Sequence, residues 1–406
     1  MSDITKPIVL DETVQALNHL IAHQNAAIDL LASDKRAELV TDVATVAELC
    51  KNGEILEVMD YGDEIHPEWV DGETHYNPAM NLCHVSTEKL EDNEDIQGAF
   101  FEWDKTTPFG VQFDAPEAIY YFDGTEAAGT YHIGIGADYG NGWSSAKSIQ
   151  FTLTEAPAAD DQLFIDCGTN YANDPTDGKT WTVYGKGSTT AKQTGTTSNG
   201  TSGTSLGSTS SANAHTTNGR VNAPSRVVYG YGRWSQSGIR QYLNSGAASA
   251  WWTAQNPWDR PHALAATKAG FLSGYDASVV QYFKPIKVVT VACDADSNVE
   301  DVTYDRVFLS SLEQMYCTPQ FSGKEGDYWE YYKRLLGRTS PAPTGATYAR
   351  LIKYALNSAT SAQYCWRRSA YRDYANCAWF VDTSGYVGNY NAFNACRCAP
   401  SVFISD

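Results

Sequence analysis

The chain has 406 residues, 42% of them hydrophobic and 12% aromatic, so it is long enough for two or three domains with their own cores. Its 48 acidic and 29 basic side chains give a formal net charge of -19, which argues against nucleic acid and anionic lipid as partners. No apolar run approaches the ~20 residues needed to span a bilayer, so membrane insertion is not expected.

The start of the chain and its cysteines bear on where it folds. The first ten residues lack the basic and apolar regions of a secretory signal, so we expect synthesis and folding in a cytoplasm. Nine cysteines are an odd number, and in that compartment we expect free, mostly buried thiols rather than a disulfide framework.

The first segment, 1–52, is predicted to contain a helix that Asp11 caps. Apolar residues recur there at alternating steps of three and four, which is a short heptad seam. Two interpretations stay open: a helix packed on its own domain, or a coiled coil that makes a homo-oligomer. The seam residues are Val14, Leu17, Ile21, Ile28 and Leu31.

The pattern changes to period two over residues 53–158, which predicts a small antiparallel β-domain of the sandwich type. A linker is predicted at 155–161. The expected strands are 55–59, 98–103, 118–122, 130–135 and 148–153.

Residues 159–406 are predicted to form a separate α+β domain, because helical and strand-like segments are interspersed with long loops. Strands are expected at 163–165 and 181–184. The Ser-, Thr-, Gly- and Asn-rich stretch 187–219 has almost no apolar side chains to bury, so it is predicted to be an exposed, mobile loop.

Motifs for catalysis are weak. The chain has no phosphate-binding glycine loop and no nucleophile elbow. The acidic stretch 60–66, with Glu73 and His75, lacks the spacing of a calcium loop, and His19 with His23 fits a solvated helix face better than a metal site. Sequence reasoning therefore predicts no enzyme, no cofactor and no metal. A thiolate zinc site is a disfavoured alternative; its ligands would be Cys365, Cys377, Cys396 and Cys398.

In the C-terminal segment 369–398, the order of side-chain types fits neither the period of a helix nor that of a strand. Small residues recur along it: Ala370, Ala375, Ala378, Gly385, Ala392 and Ala395, with Ala399 just beyond. Aromatic, amide, acidic and thiol side chains lie between them: Tyr371, Asp373, Tyr374, Asn376, Cys377, Phe380, Asp382, Asn389, Tyr390, Asn391, Phe393, Asn394 and Cys396.

The amino acids missing from this segment suggest an origin at the codon level. Random replacement of adenines in asparagine codons yields Tyr, Asp, Asn, Ser, Phe, Gly or Cys, but never Lys, Glu, Gln, Met or Trp. Residues 369–398 contain no Lys, Glu, Gln or Met, and Trp379 would belong to a fixed frame.

With this ending, the chain resembles the variable proteins of phages and prophages that are diversified by retroelements, whose reverse transcriptase makes errors at template adenines. The resemblance covers 160–406 well and 54–155 loosely. Cys398 and the pair Arg367-Arg368 depart from the pattern. The matching motifs are Trp234 with 237–244, 251–253, 304–309, 311–316, 368–370 and 397–400.

The resemblance implies a C-type-lectin-like domain in which the thirteen interleaved residues form a variable ligand-binding surface. The alanines, Gly385, Val381 and Val387 would be its fixed frame. It implies a receptor-binding protein of a virion tail tip or fibre, whose partners are a bacterial surface protein or glycan and other tail proteins. Two alternatives remain: an enzyme like the formylglycine-generating oxidases of the same fold, with Cys396 and Cys398 as candidate thiols, and a bacterial surface adhesin.

Overall fold

A computed structural model describes Val14 and residues 43–136, 147–166, 177–209 and 219–406. The α-helices are α1 (Val43–Asn52), α2 (Ile55–Val58), α3 (Pro224–Tyr229), α4 (Gly238–Leu243), α5 (Ala277–Val280) and α6 (Glu330–Leu336). Short 3-10 turns lie at Trp234–Gln236, Ala263–Ala266, Phe271–Gly274, Asp294–Asp296 and Ala349–Leu351.

The strands run through both halves of the chain. In the first half they are β1 (Glu64–Ile65), β2 (Trp69–Asp71), β3 (Thr74–Tyr76), β4 (Met80–Lys89), β5 (Asp95–Trp103), β6 (Tyr120–Tyr121), β7 (Gly129–Ile135), β8 (Lys147–Leu153), β9 (Gln162–Asp166), β10 (Thr180–Tyr184), β11 (Ala191–Thr196), β12 (Ser198–Asn199) and β13 (Thr204–Ser208). In the second half they are β14 (Ile286–Val291), β15 (Glu300–Asp305), β16 (Val307–Phe308), β17 (Lys353–Tyr354), β18 (Ala362–Gln363), β19 (Cys365–Ala370), β20 (Cys377–Val381), β21 (Val387–Asn391) and β22 (Ser401–Ile404).

A five-stranded sheet, ordered β1-β4-β5-β22-β16, forms the centre of what we call the body. Its middle strand joins distant parts of the chain, because Phe101 is paired with Leu82 on one side and with Val402 on the other. Side chains from α1, α4, α6 and the sheet β19-β20-β21 share one buried cluster with it. The body core therefore runs from Val43 to Ile404 in sequence.

Two four-stranded sheets, β11-β10-β9-β6 and β12-β8-β7-β13, enclose a second core and form a sandwich. The rings of Phe151 in β8 and Trp181 in β10 contact each other, with centroids 5.8 Å apart. Alternation of buried and half-buried side chains along β7 explains why period two predicted this strand. One pairing, β13 with β7, is parallel.

In the sequence, the sandwich is inserted between two segments that both belong to the body. Phe113 and Trp234 belong to the body core, whereas Ile119 and Tyr229 belong to the sandwich core. The divisions predicted at 52/53 and 158/159 therefore do not follow the cores: residues 43–113 and 230–406 form the body, with the sandwich inserted. Local sequence patterns identify strands but not their partners, and the β5–β22 pairing joins segments about three hundred residues apart.

Helices account for 16% of the structure and strands for 34%, so the fold class is α+β or mainly β. This confirms the predicted class at that level. No helix among the described residues is both long and apolar enough to cross a membrane.

Three local predictions have different outcomes. Residues 55–59 were predicted as a strand, but Ile55 and Val58 are buried three positions apart on one face of the helix α2. The predicted mobile loop 187–219 contains β11, β12 and β13, whose backbones pair with β10, β8 and β7, and Leu206 of β13 is buried in the sandwich core. Of the N-terminal seam only Val14 is described, in a helix; the other seam residues, together with His19 and His23, lie outside the described residues.

Candidate binding surface

The predicted variable segment contributes most of the antiparallel sheet β19-β20-β21, which we call the display sheet. Most of the predicted frame is buried in it, with Ala378, Val381 and Val387 at 0% exposure. The exception is Ala395, which is exposed. Small side chains are needed where this sheet packs on the body, because a larger one would displace its neighbours.

A tight turn links β20 to β21. Asp382 accepts hydrogen bonds from the backbone N–H of Ser384 at 2.7 Å and of Tyr386 at 2.9 Å. Gly385 has a φ of +86°, and a Cβ there would lie 2.2 Å from the carbonyl oxygen of Tyr348. Only glycine fits such a position, so the hairpin geometry is set by the backbone and Asp382 has a structural role.

Two buried arginines hold β19 to the body. The Arg367 side chain is 0% exposed and donates from a terminal nitrogen to Ser310 Oγ at 2.7 Å. Arg368 donates to the Leu309 carbonyl oxygen at 2.7 Å and to the side chain of Gln314. These buried hydrogen bonds give Arg367 and Arg368 a structural role in attaching β19 to the body.

The predicted site residues divide by exposure. Tyr374 and Tyr390 are each 38% exposed, and Asp373 is exposed as well. A second group is half-buried: Tyr371, Asp382, Asn389, Asn391, Phe393 and Asn394. The last group is buried, and for its members the prediction of an exposed position is wrong: Asn376, Cys377, Phe380 and Cys396.

Three of the four wrongly predicted residues, Phe380, Asn376 and Cys377, have partners that hold them inside. Phe380 lies opposite Trp366 in the sheet register and is 7% exposed. The Asn376 side-chain amide donates to Asn391 Oδ1 at 2.7 Å, and Cys377 contacts the same oxygen. Register within the sheet, which residue type does not reveal, decides these positions.

One exposed aromatic cluster lies on the face that carries Phe380. The rings of Phe380 and Tyr390 are stacked at 5.2 Å, and Tyr364, 43% exposed, lies 5.6 Å from Phe380. Tyr386, 39% exposed, covers Gly388, where a Cβ would lie 2.5 Å from the Tyr386 ring. We call these residues, Tyr364, Phe380, Tyr386 and Tyr390, the tyrosine face.

A second aromatic group lies beside the turn between β19 and β20. Tyr371 and Tyr374 are stacked at 5.6 Å, and Trp379 meets Tyr371 edge-on at 5.4 Å. Trp379 also donates to Gln320 Oε1 at 3.2 Å, which fixes its ring from below. Burial and the neighbouring Asp373 carboxylate raise the pKa of the Tyr371 phenol, so that hydroxyl is neutral at physiological pH.

Sequence reasoning missed Tyr364 and Tyr386. Tyr364 lies before the predicted segment begins, and Tyr386 lies inside it but was assigned to neither frame nor surface. In contrast, Phe393 was predicted as a free surface residue but contacts Tyr229 of the sandwich at 5.6 Å. The signal that could have found Tyr364 and Tyr386 is their residue type, since both are tyrosines close in sequence to the predicted variable positions.

Two of the cysteines are the candidate catalytic thiols of the alternative enzyme function. The eight that the structure describes are free and buried, which confirms the prediction of buried thiols for them. Burial raises the pKa of the Cys365, Cys396 and Cys398 thiols, so they stay protonated and are weak nucleophiles at neutral pH. Within the described ranges, no cysteine belongs to a group with the mutual spacing of metal ligands.

The comparisons with known proteins add one similarity. Residues 214–404 match a family described as a domain of unknown function, DUF6273. The match includes the whole sheet β19-β20-β21 but not β4 and β5 of the body. No curated protein and no solved structure matches the chain.

Proposed function

We propose that this chain is a non-enzymatic ligand-binding protein that displays an exchangeable surface on a C-type-lectin-like fold. One observation carries the proposal: small and apolar residues of the sheet β19-β20-β21 are buried, while the side chains exposed on it and beside it include Tyr390, Tyr364, Tyr374, Tyr386 and Asp373. Substitution of the exposed side chains changes the chemical groups that contact a ligand, and it leaves the buried core unchanged.

The exposed side chains suit recognition of varied ligands. A tyrosine ring offers a large contact area at a low cost in side-chain entropy, and four tyrosines of this region are more than a third exposed: Tyr364, Tyr374, Tyr386 and Tyr390. Asp373 and Asn389 add hydrogen-bonding groups beside them. The proposed ligand is a protein or glycan of a bacterial surface, which such rings bind through apolar side chains or sugar faces.

The proposed setting is the tail tip or fibre of a phage or prophage virion, with the segment diversified by a retroelement. The resemblance in the C-terminal half supports both this setting and the lectin-like assignment, whereas the helix and strand content supports only the coarser α+β or mainly β class. The buried Arg367 and Arg368, which deviate from the family pattern, still serve the fixed frame. Other tail proteins would be the second class of partner.

Serine substitution of the exposed tyrosines is expected to abolish recognition without unfolding. We expect the double variant Tyr364→Ser/Tyr390→Ser to bind host-surface extracts at least about tenfold more weakly than the unchanged chain. Leu56→Ser is the matched control, because Leu56 is 44% exposed on α2, outside the display sheet. Unchanged binding by the double variant, with a native circular dichroism spectrum, would contradict the assigned surface.

The retroelement assignment has a genetic test. Sequencing the DNA around the coding region is expected to reveal a near-repeat of codons 369–398 with adenines at the differing positions, together with a reverse transcriptase gene. The codons of Ala378 and Val387, which are both buried in the frame, should be identical in the two copies. The absence of such a repeat would reject the retroelement assignment. It would not bear on the binding surface, which the tyrosine variants test separately.

A further inference from the structure

Three buried carboxylates meet where the sandwich joins the body. Asp114 and Asp259 are each 4% exposed and Glu117 is 0% exposed. One oxygen from each lies within 4.8 Å of the others, and among the described residues no other group of His, Cys, Asp or Glu is spaced in this way.

Two carboxylate oxygens of this group have no hydrogen-bond partner. Asp114 accepts from the Gly238 N–H at 3.1 Å through Oδ1, but its Oδ2 is buried and unpaired. Asp259 accepts from the Gln255 N–H at 2.5 Å through Oδ2, but its Oδ1 is buried and unpaired. An unpaired buried carboxylate oxygen is costly, and so the pair indicates a missing positive partner.

Glu117 is better satisfied. Its oxygens accept from the side-chain amides of Asn222 at 2.6 Å and Asn256 at 3.2 Å. Arg226 lies 3.4 Å from it and supplies one positive charge. When all three carboxylates are ionised, they and the guanidinium carry a net charge of about -2, which a single divalent cation would neutralise.

The electrostatics agree with this balance. Burial first, then the charges of Asp259 and Glu117, raise the pKa of Asp114 well above its usual range. Burial and Glu117 raise the pKa of Asp259 to about 8. Within the part of the chain that the structure describes, no basic side chain is among the groups that shift the pKa of the two aspartates, so repulsion among the three carboxylates favours protonation unless a cation is bound.

We propose that Asp114, Glu117 and Asp259 bind a divalent cation, and that this cation is Ca²⁺. The donors are all carboxylate oxygens, which calcium prefers, and there is no thiol or imidazole of the kind zinc takes. Oxygens on opposite sides of a calcium ion lie about 4.8 Å apart, since each Ca–O bond is about 2.4 Å. Water and carbonyl oxygens would complete the coordination.

The position of the site gives the ion a structural role. Asp114 and Glu117 lie on the segment that leads from the body core into the sandwich. The Asp259 backbone carbonyl accepts from the side chain of Gln162, a residue of the sandwich strand β9, at 2.8 Å. A bound cation would therefore hold the sandwich against the body, a property independent of the ligand proposed above.

Calcium is expected to stabilise the full-length protein. After treatment with a chelator and its removal, 1 mM CaCl₂ should raise the Tm by about 5 °C or more, and metal analysis of the protein should find about one calcium per chain. The variants Asp114→Asn and Asp259→Asn should lose the shift. Asp305→Asn is the control: it removes another buried carboxylate, paired with Arg240 at 2.7 Å, and should lower the Tm yet keep the calcium shift.

Other outcomes would overturn the proposal. A wild-type Tm that does not respond to CaCl₂, with Asp259→Asn as stable as the wild type, would mean that the carboxyl groups share protons instead. A response to MgCl₂ or MnCl₂ but not to CaCl₂ would reject calcium as the ion. If both asparagine variants fail to fold, the calcium content and calcium response of the wild type decide the matter.

Discussion

Replacing Glu102 with alanine is expected to lower the free energy of unfolding by about 3–5 kcal/mol. Glu102 is 0% exposed in β5, with Lys353 Nζ at 3.1 Å and an Arg367 nitrogen at 3.5 Å. Ser401 and the Tyr332 hydroxyl also donate to it. Without the carboxylate, two cations remain buried with no counter-charge, and this leaves the large penalty of an uncompensated charge.

The effect should extend to the display sheet, because Arg367 belongs to β19. Urea unfolding followed by tryptophan fluorescence measures the loss. Asp406→Ala is the control, because it removes an ion pair with Lys51 in which both side chains are more than half exposed. This variant should lower the free energy of unfolding by no more than about 1 kcal/mol. Equal losses in the two variants would show that the buried network does not stabilise the body.

Phe380→Ala is expected to destabilise the protein by about 3–5 kcal/mol, the usual cost of deleting a buried phenylalanine side chain. Tyr390→Ala is expected to cost no more than about 1 kcal/mol, because only the ring contact and a half-exposed surface are lost. The two rings are stacked on one face at 5.2 Å, but Phe380 is 7% exposed and Tyr390 is 38% exposed.

Comparison of the Phe380→Ala and Tyr390→Ala variants tests which aromatic residues can be substituted without loss of stability. Urea midpoints of both variants and of Tyr374→Ala, a second exposed tyrosine, should fall into two classes, with Phe380→Ala alone in the unstable class. If Tyr390→Ala were as unstable as Phe380→Ala, the tyrosine face would belong to the core. The proposal of an exchangeable surface would then fail.

The fold could be predicted from the sequence where local pattern decides it. Strands β7 and β8 follow from alternation, since side chains such as Ile133 and Ile149 are buried at every second position. The pairing of β5 with β22 could not be predicted, because nothing local records a partner so distant in the chain. Strands β11 to β13 were missed because their sequence has few apolar side chains; backbone pairing holds them in place, together with the buried Leu206 of β13.

The candidate site shows the same limit at the level of single residues. Composition and small-residue spacing singled out the segment 369–398 but did not predict its strands, and Tyr374 and Tyr390 of this segment are exposed. Composition could not separate Phe380 from Tyr390, because that difference arises from register and from packing on Trp366. Asp114 and Asp259 were not singled out at all, since 145 residues separate them in the sequence and only the fold brings them together.

The insertion of the sandwich has a consequence for how such a protein can change. Its two connections to the body run side by side: the Glu117 N–H donates to the Arg226 carbonyl oxygen at 3.1 Å, and Tyr120 bridges to Val221. A module with adjacent ends can be lengthened, replaced or lost as one cassette. Under the proposed function, the molecule would therefore have two routes to diversify: exchange of exposed side chains and exchange of the whole module.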